Sequence, residues 1–386
     1  MKGTMEALSG RLAALDGLRG LAALLVVFFH IGWPNHFTNN QFVQNGYLAV
    51  DLFFIMSGFV IFGNYAERIN SLRDYGNFIG LRFFRVYPLH FATLALLFGA
   101  EVMKLLLQRE LATPSAQLPF TGNNSSQALV ANVALVQGWH ILSGSSWNIP
   151  SWSISCEFAA YLVFGIVALA GLMRRALFIA VVPIATLTYF VLAFAYDGLD
   201  VTYDWGVARC LAGFFLGAAM VNARWIVRLQ RESWFDATSI IVVIAVSAVM
   251  SLASGTSVVL VVPLFVLLVA LLASDGGTIA RILVHPAIQY LGRVSYSIYM
   301  IQFITILGLT IVVKRLFKVP AVQDAYTQRI VLAIDPWVGD LLVMLSVGAI
   351  LIIAGFAYRW VEAPGREFGR RHIAGPKARM RARPAE

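Results

Sequence analysis

A chain of 386 residues that is 59% hydrophobic and only 13% charged is too apolar to stay soluble as a globular domain. Several of its apolar runs approach the roughly 20 residues that cross a hydrocarbon layer about 30 Å thick, which excludes a soluble enzyme with one anchor. The net charge of +9 does not point to nucleic acid, because the cations gather in short loops and at the C-terminal end while the aromatics lie in apolar runs.

The expected fold class is all-α: a polytopic transmembrane bundle of about ten spans. Backbone polar groups in lipid must be satisfied within the protein, and the runs are continuously apolar rather than alternating, which argues against a barrel. Cys156 and Cys210, the two cysteines, fall inside apolar segments, so neither a disulfide framework nor a metal site is expected.

The first run, "LDGLRGLAALLVVFFH" from Leu15 to His30, follows Lys2 and Arg11 as a signal peptide would. Asp16 and Arg19 interrupt it, and no small-x-small cleavage site follows, so an uncleaved span is expected. The spans in chain order are roughly 16–33, 47–64, 86–107, 152–172, 176–195, 204–222, 237–254, 256–274, 294–313 and 337–360. The seventh and eighth are joined only by "SGT", which predicts a tight helical hairpin. An apolar piece at about 127–137 is too short to cross. It is expected at the interface, or re-entering beside Trp139 and Trp147.

Charge asymmetry orients the bundle. Arg68, Arg73, Arg82, Arg85, Arg174, Arg175, Arg224, Arg228, Arg231 and Arg281 fall in alternate loops, and the end of the chain adds more arginines. Arg109 and the group Lys314, Arg315, Lys318 and Arg329 break the pattern. The bias still places both termini in the cytoplasm. Residues 1–364 read as one membrane domain and 365–386 as a basic, mobile cytoplasmic tail that anchors on anionic lipid.

Within the first span, eleven helical residues separate Arg19 from His30, three turns plus about 20°, so both side chains share a face. The rise between them is about 16 Å, half the hydrocarbon thickness. A lone membrane histidine is ordinarily a helix–helix hydrogen bond. Here Asp51 and Glu157, each near the outer end of its own span, are expected at a similar depth. One imidazole and two carboxylates suit a general base with an orienting partner. Arg82 and Arg85, at i and i+3, form a fork for phosphate, and Arg19 adds a third cation on the inner side. A polyanionic ligand from the cytoplasm would fit.

The stretches "LDGLRGLAALLVVFFH", "VDLFFIMSGF", "RFFRVYPLH", "PSWSISCEF", "LGRVSYSIYMIQ" and "WVEAPGR" occur in this order between about residues 12 and 364. Together they make the chain resemble acyltransferase family 3, integral membrane enzymes that O-acylate bacterial surface glycans and some small molecules. The resemblance implies a multi-pass protein of the bacterial inner membrane. It implies no permanently bound cofactor, and acetyl-CoA as acyl-donor substrate. The acceptor would be a carbohydrate or lipid-linked glycan. It further implies His30 as catalytic base with Arg19 eleven residues before it, and Arg82 and Arg85 on the coenzyme A phosphates. Asp51, Ser57 and Gly58 match one family element. Trp152, Ser153 and Glu157 match another, and Ser295, Tyr296, Ser297 and Tyr299 a third. Gln302 stands where the family often has a histidine, which leaves His30 as the base. Glu362 matches an element without a clear role and could cap the last span.

From these residues Glu157 or Asp51 would steady the imidazolium and Tyr296 or Ser57 the oxyanion, with Trp152 and Ser153 on the substrate. An acetyl-His30 intermediate is the chemical alternative. The tryptophan-rich loop 108–151 suits stacking on sugars, and equally a polar outer loop with interfacial aromatics. A multi-span transporter or flippase of a glycan or anionic substrate is the rival class.

Overall fold

A computed structural model describes residues 12–111, 118–173, 175–221, 234–323 and 330–373. Among these, nine helices are long and apolar enough to cross a membrane. The expected span at 204–222 forms a shorter apolar helix, Gly206–Met220. The eight-residue helix Ser126–Val133 occupies the short apolar piece. The bundle is helical apart from two three-residue antiparallel strands, β1 (Ala321–Gln323) and β2 (Ile330–Leu332). Arg174, Arg224, Arg228, Arg231, Arg329 and the chain from 374 onward lie outside the described residues.

Two expectations need correction. The third span starts fourteen residues early: after the helices α2 (Gln41–Gln44) and α3 (Ala49–Tyr65) comes a 40-residue helix, α4 (Leu72–Leu111), so Arg73, Arg82 and Arg85 sit on a helix rather than in a loop. At the C-terminal end, the helix Pro336–Ala357 continues through a π-helical turn, Tyr358–Glu362, into a further helix, Ala363–Ile373. The boundary drawn at Pro364 therefore falls inside a helix, and residues 365–373 are helical.

The chain divides into two compact units. The first comprises residues 1–56, 189–200 and 220–355. Its first helix, α1 (Ala13–His30), has no capping side chain of its own. The orphan amides of a helix start need acceptors. Here the Asp275 carboxylate takes Ala13 N at 3.1 Å and Ala14 N at 2.7 Å, a negative charge at the positive end of the dipole. Gln289 adds a bond from Nε2 to Ala13 O at 2.7 Å.

Glycines set how closely α1 packs on the helix Pro286–Leu316. A Cβ on Gly20 would lie 2.4 Å from Gly292 N, and one on Gly292 only 2.2 Å from Asp16 O. Neither backbone atom can move aside, so only hydrogen fits. In the same unit, Phe235–Leu252 turns into Gly255–Leu260 and Val261–Leu272 over the predicted tight hairpin. Ser254 and Ser257 form a reciprocal cap there, and Gly255 takes the left-handed conformation (φ 54°).

The second unit comprises residues 57–188, 201–219 and 356–386. Its helix Trp152–Leu169 packs on α4, with Gly165 closing onto the Tyr75 ring. The helix Ala363–Ile373 runs antiparallel to α4: Gly80 meets Ile373, Phe84 meets Gly369, and Pro88 meets Gly365. Each step of four along one helix matches a step of four back along the other.

Substituting valine at Gly292 is expected to prevent folding, because overpacking against fixed backbone costs about 1–3 kcal/mol or more. Valine at Gly308, on the same helix with nothing within 4 Å, is expected to be tolerated. The yield of monodisperse protein in detergent separates the two.

Candidate active site

In the first unit, Arg19 and His30 keep the geometry expected of one unbroken helix, α1. Their face also carries Ala23, Val26 and Val27, each at most 1% exposed, while Leu21 on the opposite side is 39% exposed. The polar face therefore points into protein, where a charge is less costly than in lipid. Arg19 pairs with Asp16 at 3.0 Å, one turn away.

His30 Nδ1 lies 2.8 Å from Val26 O. A carbonyl can only accept, so this network assigns the proton to Nδ1. In the neutral ring Nε2 is then the basic nitrogen, the state a general base requires. Val26 O is one partner that orients the imidazole. The turn after His30 is fixed by Asn35, whose Oδ1 accepts from Phe37 N and Thr38 N. His36 next to it binds Asp340 through both its backbone amide and Nδ1.

Asp51 is fully buried and accepts from Tyr189 OH at 2.9 Å. On Pro286–Leu316, Ser295 bonds back to Gly292 O, Tyr299 packs edge-on to Phe53, and Tyr296 is half-buried.

In the second unit, Glu157 is the centre of a hydroxyl cluster. Its Oε1 accepts from Ser57 Oγ at 2.6 Å and from Tyr161 OH at 2.5 Å. Charge-assisted bonds of this kind are short and strong. Oε2 makes no hydrogen bond among the described residues. Ser57, a candidate oxyanion donor from sequence, donates its hydroxyl to Glu157. Arg82 and Arg85 lie within electrostatic reach of Tyr161, so the arginines of α4 belong to the same neighbourhood as Glu157. Arg82 stacks over Tyr65 at 5.1 Å and donates from Nη2 to its hydroxyl at 2.9 Å.

Trp152 and Ser153 both make contacts within the second unit. Trp152 lies beneath the fully buried Arg209, whose guanidinium sits 5.6 Å from the ring and donates to Val201 O at 3.1 Å. Such a buried cation needs both kinds of contact. Ser153 donates to Pro150 O. Trp147 is buried against Phe98 and Phe120, and the half-buried Trp139 donates to Ser155 O.

Sequence reading missed Tyr161, Tyr189 and Arg209. For Tyr161 a signal existed: it stands four residues after Glu157, on one helix face. No cluster of three or more metal-ligating side chains occurs among the described residues.

Intramembrane arginines, carboxylates and a histidine turned inward mark a multi-pass membrane protein with a polar site. The chain belongs to acyltransferase family 3: a family model described as an acyltransferase domain matches residues 12–359. It is 35% identical over 165 residues to the acyltransferase MdmB of Streptomyces mycarofaciens, covering 40% of this chain and 38% of that protein. It is 41% identical over 88 residues to Protein 2 in picA locus of Rhizobium radiobacter, covering 22% and 44%. To the candidate peptidoglycan O-acetyltransferase YrhL of Bacillus subtilis (strain 168) it is 26% identical over 172 residues, covering 41% and 24%. The chain thus spans less than half the length of these curated relatives. No solved structure matches it.

Removing either hydroxyl from Glu157, by Ser57→Ala or Tyr161→Phe, is expected to lower the unfolding temperature in detergent. Each bond to a charged acceptor is worth about 1.5–3 kcal/mol. Because both act on one oxygen, the double variant is expected to depart from additivity in a thermal-shift cycle.

Proposed function

We propose that this protein is a membrane O-acyltransferase of the bacterial inner membrane, with both termini in the cytoplasm. It moves an acetyl group from cytoplasmic acetyl-CoA to a hydroxyl of a carbohydrate, such as an exopolysaccharide, O-antigen or lipo-oligosaccharide. Family membership supports the reaction class, and the name of the Bacillus relative supports a glycan acceptor. The observation that carries the reading is His30. Its Nδ1 is committed to Val26 O, and its ring lies on the inward face of α1 in line with Arg19.

The chemistry follows from that placement. His30 Nε2 takes the proton of the acceptor hydroxyl as its oxygen attacks the thioester carbonyl carbon. General-base help of this kind is worth about 10²–10⁴ in rate. The tetrahedral adduct collapses, the carbon–sulfur bond breaks, and the departing thiolate recovers the proton from the imidazolium. The products are the acetyl ester and free coenzyme A. Arg82 and Arg85 bind the donor's phosphates, since paired guanidinium groups match phosphate geometry. Arg19 is a further cation, at the inner end of the first helix. Asp51, held by Tyr189 in the same unit as His30, is the carboxylate for steadying the imidazolium. Glu157, held through Oε1 in the second unit, is the second carboxylate proposed for the chemistry.

Membranes containing the protein are expected to transfer label from acetyl-CoA to a glycan fraction. His30→Ala is expected to reduce this at least about a hundredfold at unchanged protein level, and Arg19→Ala to weaken it strongly. Full activity in His30→Ala would overturn the base assignment. Glycan movement with no label transfer would favour a flippase.

A further inference from the structure

The stretch "WVEAPGR" has no part in the chemistry above, yet it holds the one π-helical turn among the described residues, Tyr358–Glu362. Such turns insert an extra residue and re-aim the side chains beyond them, and they are frequent at functional sites. Glu362 is buried, and its Oε1 meets Arg366 Nη1 at 3.5 Å. The next helix is pressed on α4 through glycines: a Cβ on Gly365 would lie 2.6 Å from Pro88 Cγ, and one on Gly369 2.6 Å from Phe84 Cβ. Arg366 follows Gly365 directly, and Arg85 follows Phe84. The same close approach therefore carries both arginines toward each other, and Arg85 lies within electrostatic reach of Arg366. Arg82, one turn before Arg85, has a buried Nε without a hydrogen-bond partner among the described residues.

Arg85 and Arg370 both act on Arg366, and guanidinium groups gathered by packing repel one another. The buried Glu362 carboxylate offsets part of that charge at Arg366. A group of guanidinium side chains suits an anion with several negative oxygens. We propose that Arg366 is a third cation of the anion site begun by Arg82 and Arg85, set in place by the π turn and the glycine seam, and that it binds a phosphate group of the acyl donor. Glu362 is then a positioning residue that aims Arg366. The inference rests on the reading of acetyl-CoA as donor.

The test is calorimetric binding of coenzyme A, and of pantetheine, which lacks the phosphates, to the full chain in detergent. Arg366→Ala is expected to weaken coenzyme A binding about tenfold to a hundredfold and to leave pantetheine unchanged. Arg366→Lys keeps the charge without the fork and should lose only part of the affinity. Glu362→Gln should lose several-fold in affinity for coenzyme A alone. Arg281→Ala, an exposed residue of the first unit that donates to Thr278, should have no effect. If the unaltered protein fails to bind coenzyme A, the donor reading falls. If it binds and neither Arg366 variant changes the affinity, the inference about Arg366 is overturned. It is likewise overturned if Arg281→Ala weakens binding as much, which would reduce the effect to general surface charge. Should Arg366→Ala fail to fold, Arg366→Lys decides the question.

Discussion

The arrangement of the first unit depends on backbone meeting backbone where α1 crosses Pro286–Leu316. Gly20 and Gly292 leave no room for a side chain at that crossing. In lipid, helices gain little from burying apolar surface against each other, and association rests on close packing and polar contacts. A glycine crossing supplies the first. Asp275 and Gln289 supply the second, by taking the amides and a carbonyl at the start of α1. Fixed in this way, α1 cannot rotate its Arg19–His30 face toward lipid.

The second unit solves the same problem with a different set of side chains. A carboxylate within an apolar helix is costly unless paired or hydrogen-bonded. Glu157 meets that demand with two hydroxyls on one oxygen, so the other oxygen stays available. Arg209 meets it with an indole face and a carbonyl. The carboxylate takes two hydroxyls, and the cation an indole face and a carbonyl. In α1 the corresponding contact is the Asp16–Arg19 pair.

Much of this was legible in the residues. Span positions follow from hydropathy, and the shared face of Arg19 and His30 follows from the helical period alone. The tight turn at "SGT" was equally plain. Helix ends were less so: charged and polar residues such as Arg73 and Arg82 look like loop composition, yet α4 carries them because tyrosines and its neighbouring helix cover its flank. Side-chain duties were least legible. Ser57 and Trp152 carry groups that could serve a substrate, and residue types alone do not show their contacts with Glu157 and Arg209. The carbonyl partner of His30 could not be read from residue types, since every residue has a carbonyl.

The two glycine seams also constrain the order in which the molecule can assemble. Each joins parts of the chain that leave the ribosome far apart in time: α1 waits for residue 292, and α4 waits for residue 369. Domains generally form from the N-terminal side during synthesis, so both early helices must reside in the bilayer without their partners for most of that interval. The Asp16–Arg19 pair, internal to α1, lets a nascent hairpin carry its own neutralised charge until the late segment arrives.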